Sequence, residues 1–83
     1  MRIGIFDSGL GGLSVLRAIG RAIDEQAAQG QPLPVTQLLY VADSGHAPYG
    51  EKSHQAVQAR SVVVADFLKA QGADILVIAC NTA

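Results

Sequence analysis

The spacing of apolar residues along the chain changes its period four times. Arg2–Asp7, Arg-Ile-Gly-Ile-Phe-Asp, is short and apolar and predicts a strand ending at a carboxylate. From Leu13 to about Gln29 the period is helical: Leu13, Leu16, Ile19, Ile23 and Ala27 form one stripe, with Arg17, Arg21, Asp24 and Glu25 mostly off it. Gly30-Gln31-Pro32-Leu33-Pro34 stops that helix by removing donors and loosening the backbone. Gln37–Ala42, built on Leu38-Leu39-Tyr40-Val41, predicts a second strand, and Asp43–Lys52 a loop containing Gly45, Pro48 and Gly50. Ser53 is placed to N-cap a second helix running to about Gln71. Its expected buried stripe is Ala56, Ala59, Val63, Phe67 and Ala70, flanked by Val57, Val64 and Leu68. Gly72 ends it, and Asp74–Ala79 predicts a third strand on Ile75-Leu76-Val77-Ile78.

The expected fold class is therefore α/β, a parallel sheet in β-α-β-α-β order with right-handed crossovers. The third strand is apolar without alternation, as a strand covered on both faces should be. Two helices cannot cover both faces of three strands, so one face or edge is expected bare. Residues 1–83 are read on that ground as the N-terminal portion of a longer α/β domain.

Composition narrows the class further. Eighty-three residues make one domain at most, and a chain of this length buries only about 60% of its unfolded surface. Charged residues are 16% and apolar ones 49%, which excludes a disordered tail. Six basic against seven acidic residues give a net charge of −1, with no basic footprint for nucleic acid or an anionic membrane. No apolar run reaches the roughly 18–20 residues of a membrane span, and Arg2 leads at once into strand-like sequence with no signal peptide. The default expectation is a cytoplasmic protein. The single cysteine, Cys80, cannot form an internal disulfide or a cysteine-based zinc site, and no metal is expected.

The unusual polar residues fall in three places. Asp7-Ser8-Gly9-Leu10-Gly11-Gly12 follows the first strand, Asp43-Ser44-Gly45-His46-Ala47-Pro48-Tyr49-Gly50 the second, and Cys80-Asn81-Thr82 the third. In a parallel sheet all three strand ends lie on one edge, the edge where open α/β sheets bind ligands. The competing reading is that such loops are polar anyway, and that their glycines merely turn the chain. Phosphate motifs fit poorly. Gly9-Leu10-Gly11-Gly12 lacks the third glycine of G-x-G-x-x-G, because Ser14 stands there. Gly45 to Gly50 resembles a P-loop, but Glu51 intrudes and Lys52-Ser53 arrive one position late.

A buried strand cysteine is commonly just a small hydrophobe. Cys80 instead sits at a strand end, followed by Asn81 and Thr82, whose side chains can hydrogen-bond a ligand. A helix starting there would aim free N–H groups at the thiol and lower its pKa from about 8.5. If the first and third strands are neighbours, Asp7 and Cys80 come close together.

Phe6-Asp7-Ser8-Gly9-Leu10-Gly11-Gly12-Leu13-Ser14-Val15-Leu16 resembles the opening of glutamate racemases. Ala42-Asp43-Ser44 with Pro48-Tyr49-Gly50-Glu51-Lys52-Ser53 resembles a second segment of that family, and Ile78-Ala79-Cys80-Asn81-Thr82-Ala83 its first catalytic-cysteine segment. The resemblance runs over nearly the whole chain, in order and spacing. It implies the incomplete N-terminal part of an aspartate/glutamate racemase-like domain, acting on L- and D-glutamate without a cofactor and supplying D-glutamate for peptidoglycan. In the family two cysteines flank the substrate α-carbon, one removing the α-proton as thiolate and the other returning a proton on the opposite face. Cys80 matches the first, and Asp7 matches a carboxylate that assists the proton transfers. Asp7 with Ser8, Tyr49 with Gly50, and Asn81 with Thr82 match the substrate-binding pairs. The resemblance also admits a homodimer of the full-length protein. His46 stands where many members carry another residue and receives no role, and the second cysteine with its Thr-His neighbours belongs to a later segment.

The chemistry is compatible. An amino-acid α-proton is very weakly acidic, so a racemase without a cofactor must stabilise the carbanion by donors placed in advance. A thiolate can act as base, and its conjugate thiol as acid, near neutral pH. Lys52 and Lys69 fall at a loop edge and on a helix, neither suggesting a Schiff-base lysine. A rival from another class is a non-catalytic α/β module holding a nucleotide or anionic metabolite at the same loops. A third reading is a structural half-domain in which Cys80 is inert.

Overall fold

The computed structural model describes residues 1–9, 11–35, 37–46 and 49–79. Strand β1 (Arg2–Asp7) leads into helix α1 (Gly12–Ala28), strand β2 (Gln37–Ala42), two single-turn 3-10 segments (Ser44–His46 and Tyr49–Glu51), helix α2 (His54–Ala70) and strand β3 (Ile75–Ile78). The three strands form a parallel sheet in the order β2-β1-β3. β1 pairs with β2 from Arg2 opposite Gln37 to Asp7 opposite Ala42, and with β3 from Ile3 opposite Ile75 to Phe6 opposite Ile78. The expected α/β class and strand order are as observed, and each helix lies within a residue or so of its expected span.

The strand order explains where the helices go. From β1 the chain crosses to one side to reach β2, then crosses back over β1 to reach β3. Right-handed crossovers in opposite directions place their helices on opposite faces of the sheet. Successive strand side chains alternate between faces. Phe6 packs with Val57, Val64 and Leu68 of α2, against Leu39, Val41 and Ala73. Its neighbour Asp7, on the other face, meets Gly12 at the start of α1. Ser53 caps α2 as expected, its hydroxyl accepting the Ala56 N–H at 3.1 Å.

The packing of α2 differs from the expectation. The stripe facing the sheet is Val57, Val64 and Leu68, the residues expected only to flank the core. Val63 and Phe67 are each 52% exposed. The cause is Arg60. It falls on the inward face between Val57 and Val64, and a charge there makes the uninterrupted Ala56-Ala59-Val63-Phe67-Ala70 stripe look the more apolar of the two. Arg60 is accommodated because its guanidinium reaches the carboxylate of Asp43 beside the sheet. The α1 stripe is likewise less buried than expected: Leu16, Ile19 and Ile23 are half-buried, while Leu13 and Ala27 are exposed. β3 is not covered on both faces, since Ile75, Leu76 and Ile78 are all exposed. Among the described residues it is an edge strand with one neighbour, β1.

Candidate functional site

The site is assembled from the carboxyl end of β1. Asp7 is its last residue and is only 2% exposed. A carboxylate this buried needs hydrogen-bond partners, and the adjoining segments provide them. Gly9 N–H donates to Oδ1 at 3.0 Å, Gly12 N–H donates to Oδ2 at 2.9 Å, and the Tyr40 hydroxyl donates to Oδ2 at 2.6 Å. The first turn of α1 has no side-chain cap at its own N-cap residue, Gly11. Asp7 takes that role from the preceding strand, satisfying an otherwise orphaned helix N–H and bringing negative charge to the positive end of the helix dipole.

Two glycines make this approach possible. A Cβ on Gly12 would overlap the side chain of Asp7. Gly9 has φ of +103°, and a Cβ there would sit 2.8 Å from the Ser44 Cα. The glycine-rich loop thus closes on a carboxylate and on the neighbouring loop, which accounts for its glycines without any phosphate. Ser8 is buried directly after Asp7.

The second loop is anchored to the same edge. Asp43 N–H donates to the Asp7 backbone oxygen at 2.8 Å, carrying the β1–β2 ladder one residue past the strand. The Asp43 carboxylate is buried and accepts Arg60 Nε at 2.7 Å and Nη2 at 2.9 Å, a two-pronged ion pair. It ties the root of the loop bearing Tyr49 and Gly50 to α2. Those two residues lie in the second 3-10 turn, with Gly50 exposed. Between the first and second loops lies an open cleft of about 470 Å³, whose walls include Asp7, Ser14, Tyr40 and Ser44. Tyr40 shows the electrostatic character of this corner. Its phenol is pushed up to about 12, first by the hydrogen bond to Asp7, then by burial and by the negative charge of Asp7.

Of the expected site residues, Asp7 and Ser8 stand at the end of β1, and Tyr49 and Gly50 in the loop after β2. Cys80, Asn81 and Thr82 lie outside the described residues. β3 does run beside β1, and the N–H of Ala79 donates to the Phe6 oxygen at 2.7 Å. Sequence reasoning missed Tyr40 and Arg60. The available signals were a tyrosine on the Asp7 face of the neighbouring strand, and an arginine on a core-facing helical stripe, where a charge must have a partner.

A parallel sheet ordered β2-β1-β3 with helices on opposite faces is a doubly wound α/β arrangement. Open sheets of that class bind ligands at the strand carboxyl ends, at the point where the winding changes direction. Within that class the relatives are specific. Over 81 residues, 98% of its length, the chain is 56% identical to the glutamate racemase of Ectopseudomonas mendocina, 58% to that of Cupriavidus pinatubonensis and 52% to that of Pseudomonas aeruginosa. The chain is a homologue of glutamate racemases and spans about a quarter of their length, 26–27% of these three. No family model matches it. No solved structure matches it significantly.

Proposed function

We propose that residues 1–83 are the N-terminal portion of a cofactor-independent glutamate racemase and carry one half of a two-base active site. The observation that carries this reading is identity of 51–58% to glutamate racemases across nearly the whole chain. The apolar surface on β3 and the outer face of α2 is what a segment spanning a quarter of its relatives would leave to be covered by the rest.

In this reading Cys80, one residue past Ala79, is the thiol on one face of the substrate α-carbon. It removes the α-proton as thiolate or delivers one as thiol, according to the direction of reaction. Asp7 assists these transfers from the adjacent strand end. Ser8, Tyr49, Gly50, Asn81 and Thr82 bind the substrate's carboxylates and ammonium together with Asp7. Inversion by two bases needs an acid on the far side of the α-carbon as well. With one cysteine in 83 residues, the second group comes from the remainder of the racemase. The product D-glutamate serves peptidoglycan synthesis in the cytoplasm.

The test is Cys80→Ser in a racemase-length chain carrying residues 1–83. Glutamate racemisation is followed by circular dichroism, and α-proton exchange in deuterated water in parallel. A serine hydroxyl is a poor base at neutral pH, so both directions should slow by on the order of 10²–10⁴ or more. Near-normal racemisation by Cys80→Ser would remove Cys80 from the mechanism.

A further inference from the structure

Tyr40 has no part in the chemistry just described, yet it touches the residue on which that chemistry leans. In the sheet register Tyr40 is opposite Ile5, two residues before Asp7 on the same face. A diagonal neighbour on an adjacent strand lies within reach of a long aromatic side chain. Its hydroxyl meets Asp7 Oδ2 at 2.6 Å, in the short range of hydrogen bonds to an ionised acceptor. Gly12 N–H shares that oxygen at 2.9 Å, and Gly9 N–H holds the other at 3.0 Å. The backbone donors grip the carboxylate from the α1 side, and the phenol grips it from β2. The two backbone donors pin both oxygens from the α1 side, and the phenol adds a third donor from β2 that holds the carboxylate against tilting away from that strand.

We propose that Tyr40 is a positioning residue for Asp7, its hydroxyl fixing the orientation of the carboxylate at the ligand-binding edge. The inference rests on Asp7 being a carboxylate of that site. With its phenol raised to about 12, Tyr40 stays protonated and remains a donor across the whole neutral range. A tyrosine present only to fill space would be replaced equally well by phenylalanine, and that difference is measurable.

The experiment is Tyr40→Phe in a racemase-length chain carrying residues 1–83, read by amide hydrogen exchange and 15N chemical shifts at Gly9 and Gly12. Exchange at Gly12, which shares Oδ2 with the phenol, should rise on the order of ten-fold, with a shift at Gly9. The Asp43 and Ala79 amides, bonded to backbone oxygens of β1, should hold steady. Unchanged Gly9 and Gly12 amides in a folded variant would overturn the proposal. Should Tyr40→Phe fail to fold, Asp7→Asn in a Tyr49→Phe background gives an independent reading. The Tyr40 phenol, read from its own ring resonance, should then titrate below its parent value, moving toward the ordinary value of about 10 without the Asp7 charge, and a phenol unmoved from its parent value would overturn the proposal. Neither measurement involves glutamate. Their failure would therefore remove the positioning role alone, whereas failure of the racemase reading would appear in the racemisation assay.

Discussion

Replacing Gly12 by alanine should damage this corner far more than a methyl group usually does. The added Cβ would overlap Asp7, and Asp7 cannot step aside without giving up hydrogen bonds from Gly9, Gly12 and Tyr40. Forcing a carbon into a filled site costs about 1–3 kcal/mol. Losing a hydrogen bond to a charged group adds roughly 1.5–3 kcal/mol. The stiffer unfolded chain of the alanine variant returns only about 0.4–1 kcal/mol. The expected net loss is about 2–5 kcal/mol, a large share of the roughly 4–12 kcal/mol that a chain of this size holds in total. Gly20, within the same helix, has open space where its Cβ would go. Gly20→Ala should therefore stabilise the chain by about 0.5–1 kcal/mol through helix propensity. Urea denaturation followed by far-ultraviolet circular dichroism measures both. A Gly12→Ala variant within about 0.5 kcal/mol of the parent would refute the close Gly12–Asp7 approach.

Leu68→Ala should cost about 2–4 kcal/mol as a buried core truncation, whereas Phe67→Ser should cost less than about 1 kcal/mol, because that ring is half exposed; the same denaturation assay distinguishes them, and the reverse order would put α2 in its sequence-expected orientation. Arg60→Ala should cost about 1–3 kcal/mol by leaving the Asp43 carboxylate buried without its ion pair, a figure below the usual range for buried pairs because the Arg60 side chain is 31% exposed. Stability should also fall as pH rises from about 10 to about 12. The Tyr40 phenol is raised in the folded chain, so its stabilisation is complete below the unfolded value and is lost as pH climbs through the folded one. Thermal melts across that window should show the decline in the parent, and Tyr40→Phe should lack this component.

Local pattern was enough to read the elements. The β1 and β2 bounds coincide with those expected, and the Ser53 cap and the Gly72 stop work through backbone chemistry visible in adjacent residues. The parallel order, and with it the meeting of the loops after β1 and β2 at one edge, followed from the alternation of strand and helix. The inward face of α2 was not legible, because it depends on a contact between Arg60 and Asp43 that brings separate elements together. Without that partner, an arginine on a stripe argues against burial. The same holds for Asp7. Its place at a strand end before glycines was visible in the sequence, but its burial under Gly12 and its bond to Tyr40 exist only once β2 lies beside β1. The family resemblance singled out Asp7 and Ser8 as binding residues. The structure adds the donors that hold Asp7 in place.

The central claim is that the carboxyl edge of this sheet is a glutamate site. Titrating a 15N-labelled racemase-length chain carrying residues 1–83 with L- and D-glutamate, and mapping the amide shifts within residues 1–79, tests it most directly. Shifts are expected at Gly9, Gly12, Ser44 and Ala79, around the ends of the three strands, with Gly30 and Gly72 at the opposite edge unaffected. Shifts centred on Gly30 and Gly72, or a carboxyl edge that does not respond to either isomer, would contradict it.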